Sequence, residues 1–378
     1  MTPRLRTAIL ITRLDLGGAQ EVALETAARL DAARFDVTLL AGPGGLLDDE
    51  AKRRLGGRYV TVPSLVHPIR PVQDLLALFW LWRWLLAERV QVLHTHSSKA
   101  GLLGRLAGFL ARTPRVVHTV HGWSFNDFQR APIYRAFALL ERGLALVTDA
   151  LVVVAASLRD KGLLLGIGRP DDYHVVRAGV DRGTWASTPR SRAALKRLIP
   201  TLRPKVVGVV ANLKAQKAPL DFVRVAALVA AQHKDVDFVY VGDGPLRAEA
   251  EALGKTSGLG GRLHLLGWQR DPRRLAAGFD VFLLPSLYEG LPCVYPQALS
   301  LGVPVVGTQV DGAAEIVREG HNGYLCQPRD VQAMADRVGV LVGNAALRAR
   351  LGRAAKRSVG PEFGFDAMVQ RTAQVYAP

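Results

Sequence analysis

The chain has 378 residues, 49 % hydrophobic and 22 % charged, which describes a well-buried globular protein too long for one ordinary core. Its two cysteines, Cys293 and Cys326, give no disulfide framework and fit a reducing compartment, and no run of about 18 uncharged apolar residues argues for a spanning helix. The net charge of +16 is concentrated in residues 51–200, where 23 Lys and Arg stand against 9 Asp and Glu, a surplus of 14. Such a surface suits nucleic acid, anionic lipid or an anionic substrate, or is a solvated Arg-rich face.

The first strand is expected at residues 8–12. Asp15 and the Gly17-Gly18 turn follow at once, so the short apolar N-terminus reads as a strand and not as a signal peptide. Further strands are expected at 37–40, 59–62, 90–93, 116–120, 150–154 and 174–176, then at 206–210, 238–241, 263–265, 281–284 and 303–306. Helical patterns fall between them, among them 20–30, 100–110, 220–231 and 331–342. Strands alternating with helices mean parallel sheets covered by helices, here two successive doubly wound units. The break falls near 181–204, where an Arg-, Ser-, Thr- and Pro-rich stretch precedes a fresh Val-rich strand. The expected domains are 1–183 and 184–361, with a C-terminal helix in 362–378 packing back on the first.

One helix is unusual. On a wheel for 75–86, Leu75, Leu78, Phe79, Trp82, Leu85 and Leu86 share a face, which a core explains. Trp80 and Trp84 fall opposite, near Leu76 and Arg83. Two tryptophans beside an arginine on an outward face resemble an interfacial membrane contact; burial under a neighbour is the competing reading.

Chemistry concentrates in loops after strands. Gly17-Gly18 lets backbone approach a ligand, and the helix start behind it offers free N–H groups to phosphate. The pair is not the full dinucleotide fingerprint, and no acidic residue ends the next strand, which disfavours a dehydrogenase. In the second half, Asn212 and Lys217 occupy a strand-to-helix loop. A lysine near a helix start opposes the macrodipole unless an anion is shared, a pointer to phosphate; a solvated loop lysine is the alternative. Gly242-Asp243-Gly244-Pro245 and Leu266-Gly267-Trp268 follow two further strands, where ligands bind in such sheets, though either alone is ordinary turn chemistry. Residues 285–304 are the most specific run: a strand delivers Glu289 to a loop, Gly290 permits an unusual turn, and Pro292 suits the first turn of a helix. The N–H groups of Gly290 and Leu291 are suited to a diphosphate and Glu289 to sugar hydroxyls, with Gln297 two helical turns on; a helix-capping Glu is the bland alternative.

These residues resemble the retaining glycosyltransferases of family 4, which have the GT-B fold of two Rossmann-like domains facing across a cleft. The similarity runs from Gly17-Gly18 to Gly323. The family's Glu, seven residues, Glu, then small-Gly-Val-Pro-Val-Val motif reads here as Glu289 to Gln297, then Leu301 to Val306. The resemblance implies that Glu289 binds donor-sugar hydroxyls, that Gln297 stands at the ribose, and that Lys217 binds phosphate. The usual partner arginine is Asn212, which removes one cation from the diphosphate site. His121-Gly122 matches the position whose imidazole meets the donor sugar. His94, His96 and His118 lie at the same strand ends, but no carboxylate or Cys is interleaved, and similar enzymes bind donors without metal. Ser98 and Lys99, at a helix start, are candidates for an anionic acceptor.

The resulting expectation is a hexosyltransferase that uses a UDP- or GDP-sugar, needs no cofactor, and serves a lipid-linked or glycan acceptor, as in capsule or exopolysaccharide assembly. It is placed in the cytoplasm, peripheral to the inner face of the membrane on the strength of the basic segment and Trp80/Trp84. Asn212 and Gln297 support a rival, a non-catalytic nucleotide-sugar-binding protein. A GT-B epimerase fits the Leu-Pro-Cys run after Glu289 less well, and a nucleic-acid binder lacks any motif beyond charge.

Overall fold

Val-, Ile- and Leu-rich runs make the strands of two parallel sheets, the composition needed when helices cover both faces. In the computed structural model, which describes residues 4–377, the chain divides into two units, Met1–Gly179 with Gly364–Pro378, and Val180–Phe363. The first holds strands β1 (Leu5–Arg13), β2 (Phe35–Gly42), β3 (Tyr59–Thr61), β4 (Val92–His96), β5 (Arg115–Val120), β6 (Ala150–Val153) and β7 (Tyr173–Val175). Its helices are α1 (Gly18–Arg29), α2 (Asp48–Leu55), α3 (Pro71–Ala87), α4 (Ser98–Leu110), α5 (Ala131–Ala145) and α6 (Ala156–Leu164). The second unit opens with α7 (Arg182–Ser187) and α8 (Ala193–Leu198). It continues through β8 (Lys205–Val210), α9 (Pro219–Gln232), β9 (Val236–Val241), α10 (Arg247–Thr256), β10 (Leu263–Leu265) and α11 (Pro272–Ala276). Then come β11 (Val281–Leu284), α12 (Val294–Ser300), β12 (Val305–Thr308), β13 (Gly323–Cys326), α13 (Val331–Gly343) and α14 (Ala345–Ser358); α15 (Phe365–Tyr376) belongs to the first unit.

Strand order is β3-β2-β1-β4-β5-β6-β7 in one sheet and β10-β9-β8-β11-β12-β13 in the other. Each reverses direction once, at β1/β4 and at β8/β11, and loops leaving the carboxyl ends of those strands form the crevice where such sheets take ligands. Right-handed crossovers put α3 to α6 on one face of the first sheet and α1 and α2 on the other, where α15 packs on α1.

The chain passes between units at Gly179 rather than at 183. Val180 N–H already donates to Phe363 O (2.8 Å) inside the second unit. Gly179 lies so close to Phe365 that a Cβ would come within 2.7 Å of its ring.

Each expected strand has a counterpart, with two local differences. β4 is displaced toward His96, because His94, Thr95 and His96 are buried despite their polarity. β13 was not foreseen from its Gly-Tyr-Leu-Cys sequence. The larger correction concerns α3. Its fully buried residues are Ala77, Leu81 and Leu85, while Trp80 and Trp84 are half-buried, stacked 6.2 Å apart, and packed on the core around Leu10, Leu93 and Leu103. The outward face carries Val72, Leu75, Leu76, Phe79 and Leu86. The helix is apolar nearly all round, so its sequence has no clear stripe to orient it.

Candidate active site

At the β8/β11 switch three loops are laced together by backbone. Ala211 N–H donates to Val241 O (3.0 Å), Leu213 N–H to Asp243 O (3.0 Å) and Gly242 N–H to Gly267 O (2.9 Å). Gly242 sits at φ 140°, and a Cβ there would fall 1.9 Å from Ala211 O, so only glycine closes this lacing. Asn212 lies in the first of these loops. Tyr240 Oη donates to its carbonyl (3.1 Å), while its own side-chain Oδ1 is buried without a partner. Burial, and then the charge of Glu289, push the Tyr240 hydroxyl well above its ordinary range. Trp268, 47 % exposed, closes the loop after β10.

Lys217 does not stand in the first turn of α9. It ends a one-turn 3-10 helix, Ala215–Lys217, and Ala218 at φ 44° then reverses the chain before Pro219. A left-handed alanine costs roughly 1–2 kcal/mol, and it swings the Lys217 ammonium onto Glu289 Oε1 instead of leaving it on the helix axis. The cation at this helix start is therefore answered by Glu289, an anion from the chain itself. Ser286 Oγ donates to the same carboxylate oxygen (2.6 Å), and Gln216 Nε2 reaches Oε2 (3.4 Å) and Tyr288 O (3.0 Å). The Glu289 side chain is 7 % and that of Lys217 17 % exposed. Removing one partner of so buried a pair typically costs about 3–5 kcal/mol, because the other charge is left uncompensated.

Beyond Glu289 the chain turns without a positive φ at Gly290. Gly290 O instead accepts from Gly312 N–H (2.9 Å). Gly290 and Leu291 are buried, and among the described residues their N–H groups have no acceptor. Bare N–H groups at a turn suit oxygen atoms of a ligand. Pro292 precedes α12 rather than starting it: the helix begins at Val294, and Tyr295 N–H donates to Pro292 O (2.9 Å). Gln297 is half-buried in that helix.

In the first unit the β1/β4 switch brings the end of β1 and the start of α4 together. Thr12 Oγ1 and Ser97 Oγ are 2.7 Å apart, and Ser97 holds a strained φ of 63°. Ser98 is exposed and accepts from Ser124 Oγ (2.7 Å). Lys99 is not free for an acceptor, since its ammonium donates to Asp74 (2.6 Å) and to Pro68 O at 12 % side-chain exposure. Of the histidines at the ends of β4 and β5, His94, His96 and His121 form a stack, while His118 lies on the other face of the sheet. His94 bridges Tyr376 and Thr119 at 2.6 Å each, and His118 meets Thr95 at 2.9 Å. His96 Nδ1 lies 2.9 Å from His121 Nε2. Desolvation holds all four imidazoles neutral, with His121 down to about 4, His94 to about 3, and His96 and His118 well below the usual value. His121 alone is not fully buried, and with Nε2 engaged it has Nδ1 left for a ligand.

Comparison with known proteins places both units. The Glycosyltransferase Family 4 model matches residues 16–184 and the Glycosyl transferases group 1 model residues 204–344. A UDP-Gal:alpha-D-GlcNAc-diphosphoundecaprenol alpha-1,3-galactosyltransferase of Escherichia coli is 32 % identical over 322 residues, 84 % of this chain and 83 % of its own length. The chain belongs to the family 4 glycosyltransferases. An N-acetyl-alpha-D-glucosaminyl L-malate synthase of Bacillus anthracis is 30 % identical over 302 residues, 76 % of this chain and 75 % of its own. The Anabaena protein HepE, crystallised with UDP-glucose, superposes with a TM-score of 0.82 at 20 % identity over 98 % of this chain and 99 % of its own. The fold is accordingly GT-B, with two Rossmann-like domains.

Within this glycosyltransferase, sequence reasoning missed Gln216 and Ser286, which hold Glu289 in place, and left His96 without a role. None carries a signal of its own. Gln216 and His96 matter through partners that only the fold brings near, Glu289 being 73 positions from the first and His121 25 from the second, whereas Ser286 reaches Glu289 from three residues away within one loop.

Proposed function

We propose that this glycosyltransferase moves a hexose from a UDP-hexose to a lipid-linked glycan precursor with the anomeric configuration retained, on the cytoplasmic side of a membrane. The observation that carries the reading is the buried Lys217–Glu289 pair beside the bare N–H groups of Gly290 and Leu291. Donor binding splits that pair's work: the ammonium turns to the diphosphate, and the carboxylate accepts from sugar hydroxyls. His121 serves as a further sugar ligand through Nδ1. The names of the Escherichia coli relative and of the HepE complex support UDP over GDP and, for the former, a diphosphate-lipid acceptor. Two free cysteines suit a reducing compartment, and no helix among the described residues is long and apolar enough to cross a membrane.

Glu289 is engaged by a lysine and a serine, which argues against its acting as a nucleophile. The bond from the anomeric carbon to the β-phosphate oxygen breaks as the acceptor oxygen bonds to the same face of that carbon. The acceptor's proton passes to the departing phosphate, whose growing charge Lys217 and the N–H groups stabilise. Charge is thus met without a metal ion, and EDTA is expected to leave the rate unchanged. The deciding experiment incubates the protein with UDP-hexoses and a polyprenyl-diphosphate-linked sugar, then reads the anomeric coupling constant of the product. Stabilisation by no UDP-hexose, or an inverted product, overturns the reading.

A further inference from the structure

His96 carries a ring nitrogen that nothing in the fold answers. The residue is fully buried, its Nδ1 lies 2.9 Å from His121 Nε2, and its Nε2 is shut away with no hydrogen-bond partner among the described residues. The adjoining ring cannot supply one. His94 stands 4.2 Å away between centroids, and both its nitrogens are taken, by Tyr376 and by Thr119 at 2.6 Å each. His121 is partly open, and among the described residues its side chain bonds to His96 alone.

These contacts decide where the protons sit. Burial holds both rings neutral, so each carries a single N–H and a single lone pair. The His96–His121 bond needs one hydrogen, and two arrangements provide it. In the first, His121 donates from Nε2, and His96 accepts at Nδ1. His96 must then carry its own hydrogen on Nε2, as a buried N–H with no acceptor. In the second, His96 donates from Nδ1 and leaves only a lone pair bare. Buried donors without an acceptor are rarer than acceptors without a donor, which selects the second. His121 then accepts at Nε2, and its own hydrogen lies on Nδ1, the nitrogen left open to a ligand.

We propose that His96 is a positioning residue that fixes the tautomer of His121, so that His121 meets the donor hexose with an Nδ1–H donor and not with a lone pair. The hexose atom at this contact is an acceptor: a hydroxyl or ether oxygen suits it, and an ammonium group is refused. The role in binding rests on His121 being a sugar ligand, as read above; the tautomer does not. The intact chain, carrying histidine isotopically labelled at the ring nitrogens, is read by long-range nitrogen–proton correlation near neutral pH, with the His121 signals identified by their loss in His121→Asn. Wild type is expected to show His121 protonated at Nδ1 and bare at Nε2. His96→Leu is expected to put hydrogen on His121 Nε2 and to weaken UDP-hexose binding about five- to tenfold, the worth of one hydrogen bond, while UDP, which has no hexose, binds as before by calorimetry. His96→Asn, whose amide places an N–H where Nδ1 stood, is expected to restore the wild-type tautomer and affinity. Leucine fills the histidine site better than asparagine, so a packing role would rank the two variants the other way. Unchanged His118 signals, from the far face of the sheet, show that the first unit remains folded. Hydrogen on His121 Nε2 in wild type, an unchanged tautomer in His96→Leu, or equal losses of UDP-hexose affinity in the two variants overturns the proposal. The expected tautomer and affinities with no transfer to any acceptor count against the proposed reaction alone; the reverse tautomer in an active enzyme counts against this role of His96 alone.

Discussion

The two units share a winding but place opposite chemistry at their switch points. At β8/β11 the second unit buries a full charge pair, Lys217 with Glu289, steadied by Ser286 and Gln216. In the first unit the ends of β4 and β5 gather four imidazoles, three of them buried, that carry no charge and bond to hydroxyls or to each other. A buried charge pair holds its partners ready for an anionic ligand because each is costly alone. A buried neutral stack gives shape and hydrogen-bonding without a field. One unit gathers a pair of opposite charges, the other a set of neutral nitrogens.

The sharpest way to break that contrast is Glu289→Ala. If the carboxylate both binds sugar and restrains Lys217, kcat should fall about 100- to 1000-fold, as when a single stabilising group is removed from a transition state. Steady-state transfer assays decide it, and near-normal kcat would reduce the pair to scaffolding.

Acid tests the other unit. The folded pKa of each of the four histidines is depressed below about 6.5, so the unfolded chain binds protons that the native one refuses. Stability is complete above about pH 6.5 and falls as pH drops through that value toward the folded pKa values. His121 alone, folded at about 4, contributes about 3 kcal/mol of loss by pH 4. Differential scanning calorimetry from pH 7 to pH 4.5 should show the first unit's transition moving down further than the second's. Equal movement would mean that these imidazoles are not held neutral.

Trp84→Ala is expected to cost about 2 kcal/mol through lost packing, visible as a lowered melting temperature of the first unit. A surface tryptophan would cost almost nothing. The smallest effect is expected from Asn212→Arg. Restoring a cation beside Lys217 should tighten UDP binding about tenfold by charge-assisted bonding, measurable by calorimetry; weaker binding would show that the buried Asn212 amide is itself a ligand group.

Much of the fold was legible because its strands are dense in Val, Ile and Leu, and the β11–α12 run singled out the loop that carries Glu289. What escaped reading was of three physical kinds. β13 is four residues of mixed character, too short for any period. α3 is apolar on nearly every side, so no wheel could orient it, and its tryptophans were assigned outward. β4 carries polar residues that are buried because partners elsewhere satisfy them, and partnership across the chain is invisible in a string of letters. Lys217 and Glu289 were each recognisable, but that they bond to each other was not.

The bond between His94 and Tyr376 (2.6 Å) joins positions 282 residues apart, and it sets a timetable for synthesis. Nascent chain as far as Gly179 already contains every strand of the first sheet, yet lacks the helix that caps His94 and packs on α1. That half stays open on the α1 face of its sheet while the whole second unit is made, and closes only after the ribosome has passed Tyr376. Cutting the gene at the boundary would strand the missing helix on the wrong fragment, so the two units are separable in space but not in translation.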